Sequence, residues 1–460
     1  MRLRAAWLTC LAGLLLLACK GGFPPFVHLR SFDTITLTGS PTEIVALASD
    51  PEGSKTSIRF DWGDGEVSDW SGPTEPGEEA AMSHTWTEPD DYTVLAQARD
   101  VQGRTSDWVA WTEVRVLDSA LVKWFKRIWG IAPDCPAVGP DGSVYVPAAG
   151  QIHAFGPDGN ILWSTDRLYL SGAPVVGPDG SLYARRQYYG PDLLYALNPD
   201  GSVKWVDSLD CDVPPAVGSD GTVYLVADSS LYALNPDGTR RWVLSDTNNA
   251  EPVSPVIGPD GTIYFTCYPG ILHAARPDGT LKWTLDLEGR IRGAMAVGPD
   301  GTVYLTSDWD LCAVGSDGTL KWTYVREYYG VSRPLVGPDG TVYCLSVGVH
   351  ALSPDSGTRL WYTYIDEDSP AMPAINADTM LYLGSGQGLI HVLNPDGSLQ
   401  AHVPTVEDAE HSPAAIGPDG TVYVAVKDMY LFALKGSAPL ASGCWPKAHC
   451  DAGNTGCAAR

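Results

Sequence analysis

The strongest constraint on this chain is a phrase that it uses eight times. Pro136-Ala137-Val138-Gly139-Pro140-Asp141-Gly142-Ser143-Val144-Tyr145 comes back with its tyrosine at Tyr183, Tyr224, Tyr264, Tyr304, Tyr343, Tyr382 and Tyr423, so the copies lie 38 to 41 residues apart. A second phrase follows the first seven copies, as in Leu231-Tyr232-Ala233-Leu234-Asn235-Pro236-Asp237-Gly238-Thr239-Arg240-Arg241-Trp242, whereas the eighth stops after Leu431-Phe432-Ala433-Leu434. Pro-Asp-Gly between apolar stretches works as a turn: proline presets φ, aspartate bonds back to the backbone, and glycine accepts the left-handed conformation. Each unit therefore reads as two hairpins, ab and cd. A period near forty with four short strands predicts propeller blades.

Strand d usually ends in tryptophan: Trp163, Trp205, Trp242, Trp283, Trp322 and Trp361, with Ala401 in the seventh unit. The eighth unit has no strand d of its own, but Leu121-Val122-Lys123-Trp124 ahead of the first unit matches Leu281-Lys282-Trp283. Counting that strand in gives eight complete blades, closed by pairing the two ends, which removes an open edge. The tryptophans, Trp124 included, are expected between neighbouring sheets.

Residues 25–117 read as a sandwich of short strands, among them Ile44-Val45-Ala46-Leu47-Ala48, Ser57-Ile58-Arg59-Phe60-Asp61-Trp62 and Tyr92-Thr93-Val94-Leu95-Ala96-Gln97-Ala98. The segments Asp50-Pro51-Glu52-Gly53, Phe60-Asp61-Trp62-Gly63-Asp64-Gly65, His84-Thr85-Trp86 and Asp91-Tyr92-Thr93-Val94 resemble the polycystic-kidney-disease (PKD) repeat. That resemblance implies an immunoglobulin-like spacer or adhesion module, sometimes carbohydrate-associated. Asp61 and Asp64 are read as turn residues ahead of a calcium site.

Met1 to Ala18 carries Arg2 and Arg4 and then an apolar run, the layout of a secretory signal too short to span a bilayer. Leu16-Leu17-Ala18-Cys19 resembles the lipobox of bacterial lipoproteins, which implies acylation of Cys19. Lys20, where that family places aspartate for inner-membrane retention, favours the outer membrane in a cell with two membranes, so the expected location is the cell envelope, at the outer membrane or the cell surface. The expected organisation is a signal peptide over 1–18, a lipidated tether over 19–24, the sandwich over 25–117, the propeller over 121–435 and a cysteine-containing tail over 436–460. With 55 acidic and 30 basic residues the chain is strongly acidic. It repels phosphate backbones, so nucleic acid is not an expected partner.

The repeat domain, residues 121–435, resembles the pyrroloquinoline-quinone-type, or quinoprotein-like, propellers. That family includes quinone-dependent dehydrogenases and a non-catalytic lipoprotein of the outer-membrane β-barrel assembly machinery. The dehydrogenases carry two adjacent cysteines beside the quinone, and this chain has no adjacent pair. No cofactor is therefore expected. Pyrroloquinoline quinone with calcium remains the alternative. His153, His273, His350 and His391 share one repeat position with Tyr195, Tyr232, Cys312 and Phe432, so they read as packing residues instead of a metal ring. Gly384-Ser385-Gly386-Gln387-Gly388 joins two strands and opens no helix, which rejects a dinucleotide loop. Cys444, Cys450 and Cys457, near His449, read as disulfide partners before metal ligands. The tail segment Trp445-Pro446 with Asp451 and Thr455-Gly456 resembles a terminal motif of such repeat proteins.

The leading functional expectation is a membrane-anchored, extracytoplasmic binding or scaffolding protein without catalysis, engaging a protein or polysaccharide. Alternatives are a quinone-dependent dehydrogenase or carbohydrate-active enzyme using the funnel, and a β-barrel assembly lipoprotein. The Pro-Asp-Gly turns share one end of the blades and barely vary. The bc and da connections at the other end differ in every unit, and their exposed aromatics beside arginine have the composition of binding hot spots. Tyr188, Tyr189, Trp309, Tyr328 and Tyr329 are the expected contacts.

Overall fold

The computed structural model describes residues 23–28, 34–128, 130, 135–186, 192–209, 213–228, 230–245, 253–268, 270–289, 291–307, 310–325, 334–345, 347–365, 371–405, 412–426 and 430–441. Two compact units divide after Ser119. Among the described residues the first unit has strands β1 (Phe26–His28), β2 (Thr34–Leu37), β3 (Thr42–Ser49), β4 (Thr56–Asp61), β5 (Glu79–His84), β6 (Asp91–Asp100) and β7 (Val109–Leu117). They form two sheets, in the orders β1-β3-β5 and β2-β7-β6-β4. Alternation along β3 buries Ile44, Ala46 and Ala48, which meet Ile58 and Phe60 of β4 and Val94, Ala96 and Ala98 of β6 in one core. Trp62 and Trp86 close that core, and the buried Trp86 indole donates to the Trp62 carbonyl at 3.2 Å.

After β8 (Val122–Arg127) the second unit holds eight four-stranded antiparallel sheets among the described residues. In sheets 1 to 7 the strands a, b, c and d follow one another in sequence, over 137–164, 170–207, 216–245, 253–286, 291–324, 335–364 and 374–404. Sheet 8 takes strands a, b and c from 415–434 and its strand d from β8. Phe125 pairs with Phe432 and Trp124 with Ala433, and the register then shifts at Leu434 as it does at Leu234 in sheet 3. Strand a of sheet 8 lies against strand a of sheet 1, so the last sheet meets the first.

Burial follows the strand letter. Every residue of strand b in sheet 3, Val223–Ala227, is buried, because this strand is covered on both faces. Strand d alternates between exposed and half-buried, as in Arg240–Ser245. The turns carry the chemistry predicted for Pro-Asp-Gly: Asp141 Oδ1 accepts the Ser143 N–H at 3.0 Å, and Oδ2 accepts the Ser143 hydroxyl at 2.8 Å. Gly142 follows with φ of 82°.

Candidate functional site

The two ends of the sheets do different work. Both turns of a sheet emerge together: a Cβ added to Gly221 of the ab turn in sheet 3 would lie 2.9 Å from Pro236 Cγ of the cd turn. Each strand-d tryptophan then reaches into the next sheet. The indole N–H groups of Trp124, Trp163, Trp205, Trp242, Trp283, Trp322 and Trp361 donate to the carbonyls of Pro157, Pro199, Pro236, Pro277, Ser316, Pro354 and Pro395, at 2.7 to 3.1 Å. Their rings lie on the glycine of the same turn. A Cβ on Gly279 would come within 2.8 Å of the Trp242 ring.

Basic residues beside these tryptophans hold the ab turns. Lys123, Lys204, Arg241, Lys282 and Lys321 pair with Asp419, Asp179, Asp220, Asp260 and Asp300 at 2.9 to 3.2 Å. Burial opposes ionisation of Asp179, but bonds from Ser181 and the Lys204 ammonium outweigh it and hold the carboxyl below its usual range. Neighbouring strand-b tyrosines respond the other way, since burial pushes the Tyr183 phenol up to about 12. The recurring tryptophans at this end thus join neighbouring sheets, while the ion pairs tie strand d to the ab turn of its own sheet.

One junction lacks the tryptophan. Sheet 7 has Ala401 opposite Val392, where other sheets place the indole. The segment after strand c of sheet 8 crosses there: Ala377 N–H donates to the Pro439 carbonyl at 2.8 Å, Ala441 N–H to the Ile375 carbonyl at 3.1 Å, and the Asn376 amide to Ser437 Oγ at 2.8 Å. Asn376 is fully buried, and its own Oδ1 accepts the N–H groups of Asp378 and Met380.

The opposite end holds the bc and da connections. Tyr188, Tyr189, Trp309, Tyr328 and Tyr329 fall outside the described residues, as do Cys19, Cys444, His449, Cys450 and Cys457. Within the described part, the end of sheet 2 brings together groups of the expected kind. Tyr169, 40% exposed with φ of 58°, ends the connection from sheet 1, and the adjoining pairs Leu170↔Arg186 and Ser171↔Arg185 set two arginines beside it. Sequence reasoning passed over Tyr169. Its spacing gave no signal, because the stretch from Trp163 to Pro178 is about as long as the corresponding stretch in the other units.

The four repeat-position histidines sit on strand c of sheets 1, 4, 6 and 7. His391 Nε2 lies 3.1 Å from Ser385 Oγ, and His350 Nδ1 lies 3.3 Å from the Tyr324 hydroxyl. Burial holds the His153 imidazole below its usual range. In the sandwich, Asp61 accepts the Gly63 N–H and Asp64 the Glu66 N–H, so both cap their turn, and Asp64 also meets His84 at 2.6 Å.

The repeat pattern and this geometry are those of a known family. A family model described as outer membrane protein assembly factor BamB matches residues 148–278 and 253–435. The chain belongs to this family. A PKD-domain model matches residues 31–112. No curated protein matches the chain. Among solved structures, BamB from Moraxella catarrhalis is 17% identical with a TM-score of 0.56, over 68% of this chain and 99% of that one. The C-terminal WD40 domain of Sif2 is 13% identical with a TM-score of 0.57, over 68% and 99%. The computationally designed Ika8 protein is 15% identical with a TM-score of 0.56, over 67% and 96%. These likenesses show the fold of the second unit as a β-propeller.

Proposed function

We propose that this protein is a non-catalytic scaffold of the cell envelope, an eight-bladed propeller tethered through a lipid on Cys19, which engages a protein partner with its bc/da end. Membership of an assembly-factor family carries the reading. The division of labour between the two blade ends supports it, since tryptophan clamps and ion pairs account for the recurring residues of the turn end. Among the described residues the bc/da end carries no recurring tryptophan clamp. There Tyr169, Arg185 and Arg186 offer an aromatic and two forked cations, the residue types that dominate interface energetics. The eight sheets, the strand exchange through β8 and the meeting of sheets 8 and 1 support a closed ring of eight blades.

Affinity purification from detergent-solubilised envelopes tests the reading. An outer-membrane protein or assembly component should co-purify, and a Tyr169→Ala/Arg186→Ala double substitution should reduce its recovery while the propeller still unfolds in one cooperative urea transition. Recovery of no envelope protein, or equal recovery with the substituted chain, would contradict it. Separately, Cys19→Ala should move the protein from the membrane fraction to the soluble one.

A further inference from the structure

The first unit contains a cationic face that the propeller reading does not use. The motif Ser-Asp-Trp occurs twice, at Ser68-Asp69-Trp70 and Ser106-Asp107-Trp108. Each serine grips a strand through two bonds. Ser68 N–H donates to the Phe60 carbonyl at 2.8 Å while its Oγ accepts the Phe60 N–H at 2.9 Å, and Ser106 does the same with Ala98 at 2.9 and 3.0 Å. The adjoining tryptophans are thereby set over the outer face of β4 and β6.

Two arginines complete that face. Arg59 pairs directly with Gln97, and Arg99 with Ser57, across β4 and β6. The Arg59 guanidinium lies 4.7 Å from the Trp70 ring centre and 5.0 Å from that of Trp108, and the Arg99 guanidinium lies 4.4 Å from Trp70. Gln97 Oε1 fixes Arg59 further, accepting from Nε at 3.0 Å and Nη2 at 2.7 Å. The result is a ladder in the order Trp108, Arg59, Trp70, Arg99.

Its charge state is unusual for this unit. Residues 23–119 carry eighteen carboxylates and six basic side chains. Lys55 pairs with Glu75, Arg104 with Asp100 and Glu52, and Arg115 with Asp91. Among the described residues Arg59 and Arg99 have no carboxylate partner, even though the exposed Asp69 and Asp107 belong to the same two motifs. Cation–π contact holds the guanidinium planes in place and leaves the Arg99 donors unspent.

We propose that this ladder binds an acidic polysaccharide. Arg59 and Arg99 take the carboxylate or sulfate groups of the chain, Trp108 offers an apolar ring to a sugar face, and Asp69 and Asp107 accept sugar hydroxyls. Pre-ordered guanidinium groups lose little freedom on binding, which favours recognition of a repeating anion. Charge selects the type of polyanion. A broad anionic membrane would bring its field against the many surrounding carboxylates, whereas a single thin chain meets this face alone within a screening length of about 8 Å. Two guanidinium groups already occupy the Trp70 ring, so a nucleobase gains no stacking there.

Calorimetric titration of the full chain in neutral detergent tests the proposal, with polygalacturonate, dextran sulfate and neutral dextran as probes. Binding to polygalacturonate assigns carboxylate recognition, and binding to dextran sulfate alone assigns sulfate recognition. In either case Arg99→Ala should weaken affinity about tenfold, the loss of one charge-assisted hydrogen bond, and Arg99→Lys should recover part of it. The melting temperature should fall by only a few degrees, since Arg99 loses a single ring contact. Failure of both acidic polymers to bind, equal affinity in Arg99→Ala and Arg59→Gln, or arginine-dependent binding to phosphatidylglycerol vesicles or a single-stranded oligonucleotide in place of the glycans would overturn it. The experiment does not involve the propeller partner, so either proposal can fail alone.

Discussion

Replacing Trp242 by alanine removes one inter-sheet clamp, and its contacts set the size of the effect. The indole donates to the Pro277 carbonyl at 3.0 Å, covers Gly279, and lies 5.8 Å from the Tyr224 ring. Trp-to-Ala in a closed core costs about 3–5 kcal/mol. Trp242 is half-buried, which places it near the bottom of that range, at about 3 kcal/mol, whereas Trp322, only 8% exposed, belongs nearer to about 4 kcal/mol. Trp242→Phe keeps an aromatic ring over the glycine and loses the hydrogen bond, a cost of about 1 kcal/mol. A double-mutant cycle identifies the contact itself. Gly279→Ala alone places a Cβ only 2.8 Å from the Trp242 ring and forces alanine to φ of 86°. In a Trp242→Ala background the clash is gone and only the conformational cost remains, about 1 kcal/mol, so the two changes must be strongly non-additive. Urea titration followed by circular dichroism reads all four proteins. Additive effects, or a Trp242→Ala stability within about 0.5 kcal/mol of the parent, would refute the clamp.

Deleting residues 121–127 takes strand d from sheet 8 and exposes the edge of Tyr430–Leu434, so aggregation on size exclusion is expected; a monodisperse protein of unchanged stability would exclude closure through β8. Asn376→Ala leaves the N–H groups of Asp378 and Met380 without their acceptor at the junction of sheets 7 and 8, and a loss of about 2–3 kcal/mol is expected in the same titration. Eleven turn aspartates, among them Asp179, Asp200 and Asp260, are held below the usual carboxylate range. A depressed folded-state value adds stability that is present above the unfolded value of about 3.9 and is lost as pH falls through the folded ones. The urea midpoint should therefore hold between about pH 7 and 5 and drop below about 4; a larger loss between pH 7 and 5 would show that other groups control stability.

Repetition made the second unit legible. A turn that must fit the same hairpin repeatedly leaves Pro-Asp-Gly in the sequence, and Leu121-Val122-Lys123-Trp124 disclosed the missing strand because it copies the other d strands. The bond from each tryptophan to the next sheet was not legible, since both partners recur but nothing in one dimension links unit to unit. The crossing segment at Ser437–Ala441 escaped notice because Ala401 and Asn376 depart from the repeat and Gly436-Ser437-Ala438-Pro439-Leu440 has no period. In the sandwich, β5 leaves little trace in the sequence for a physical reason: Glu79-Ala80-Ala81-Met82-Ser83-His84 is a partly exposed edge of small and polar residues without a β-branched alternation. Binding loops are the least readable part. The repeat dictates how sheets pack, and Tyr169, Arg185 and Arg186 lie where it dictates nothing.

Cross-linking mass spectrometry on native envelopes tests the central claim most directly, because it reports which blade end faces a partner. Cross-links to an envelope protein should cluster on the bc/da connections, around Tyr169 and Arg185–Arg186, and leave the Pro-Asp-Gly turns and the lysines paired with them, Lys204, Lys282 and Lys321, free of inter-protein links. A footprint centred on those turns, or an absence of any envelope partner, would contradict the account.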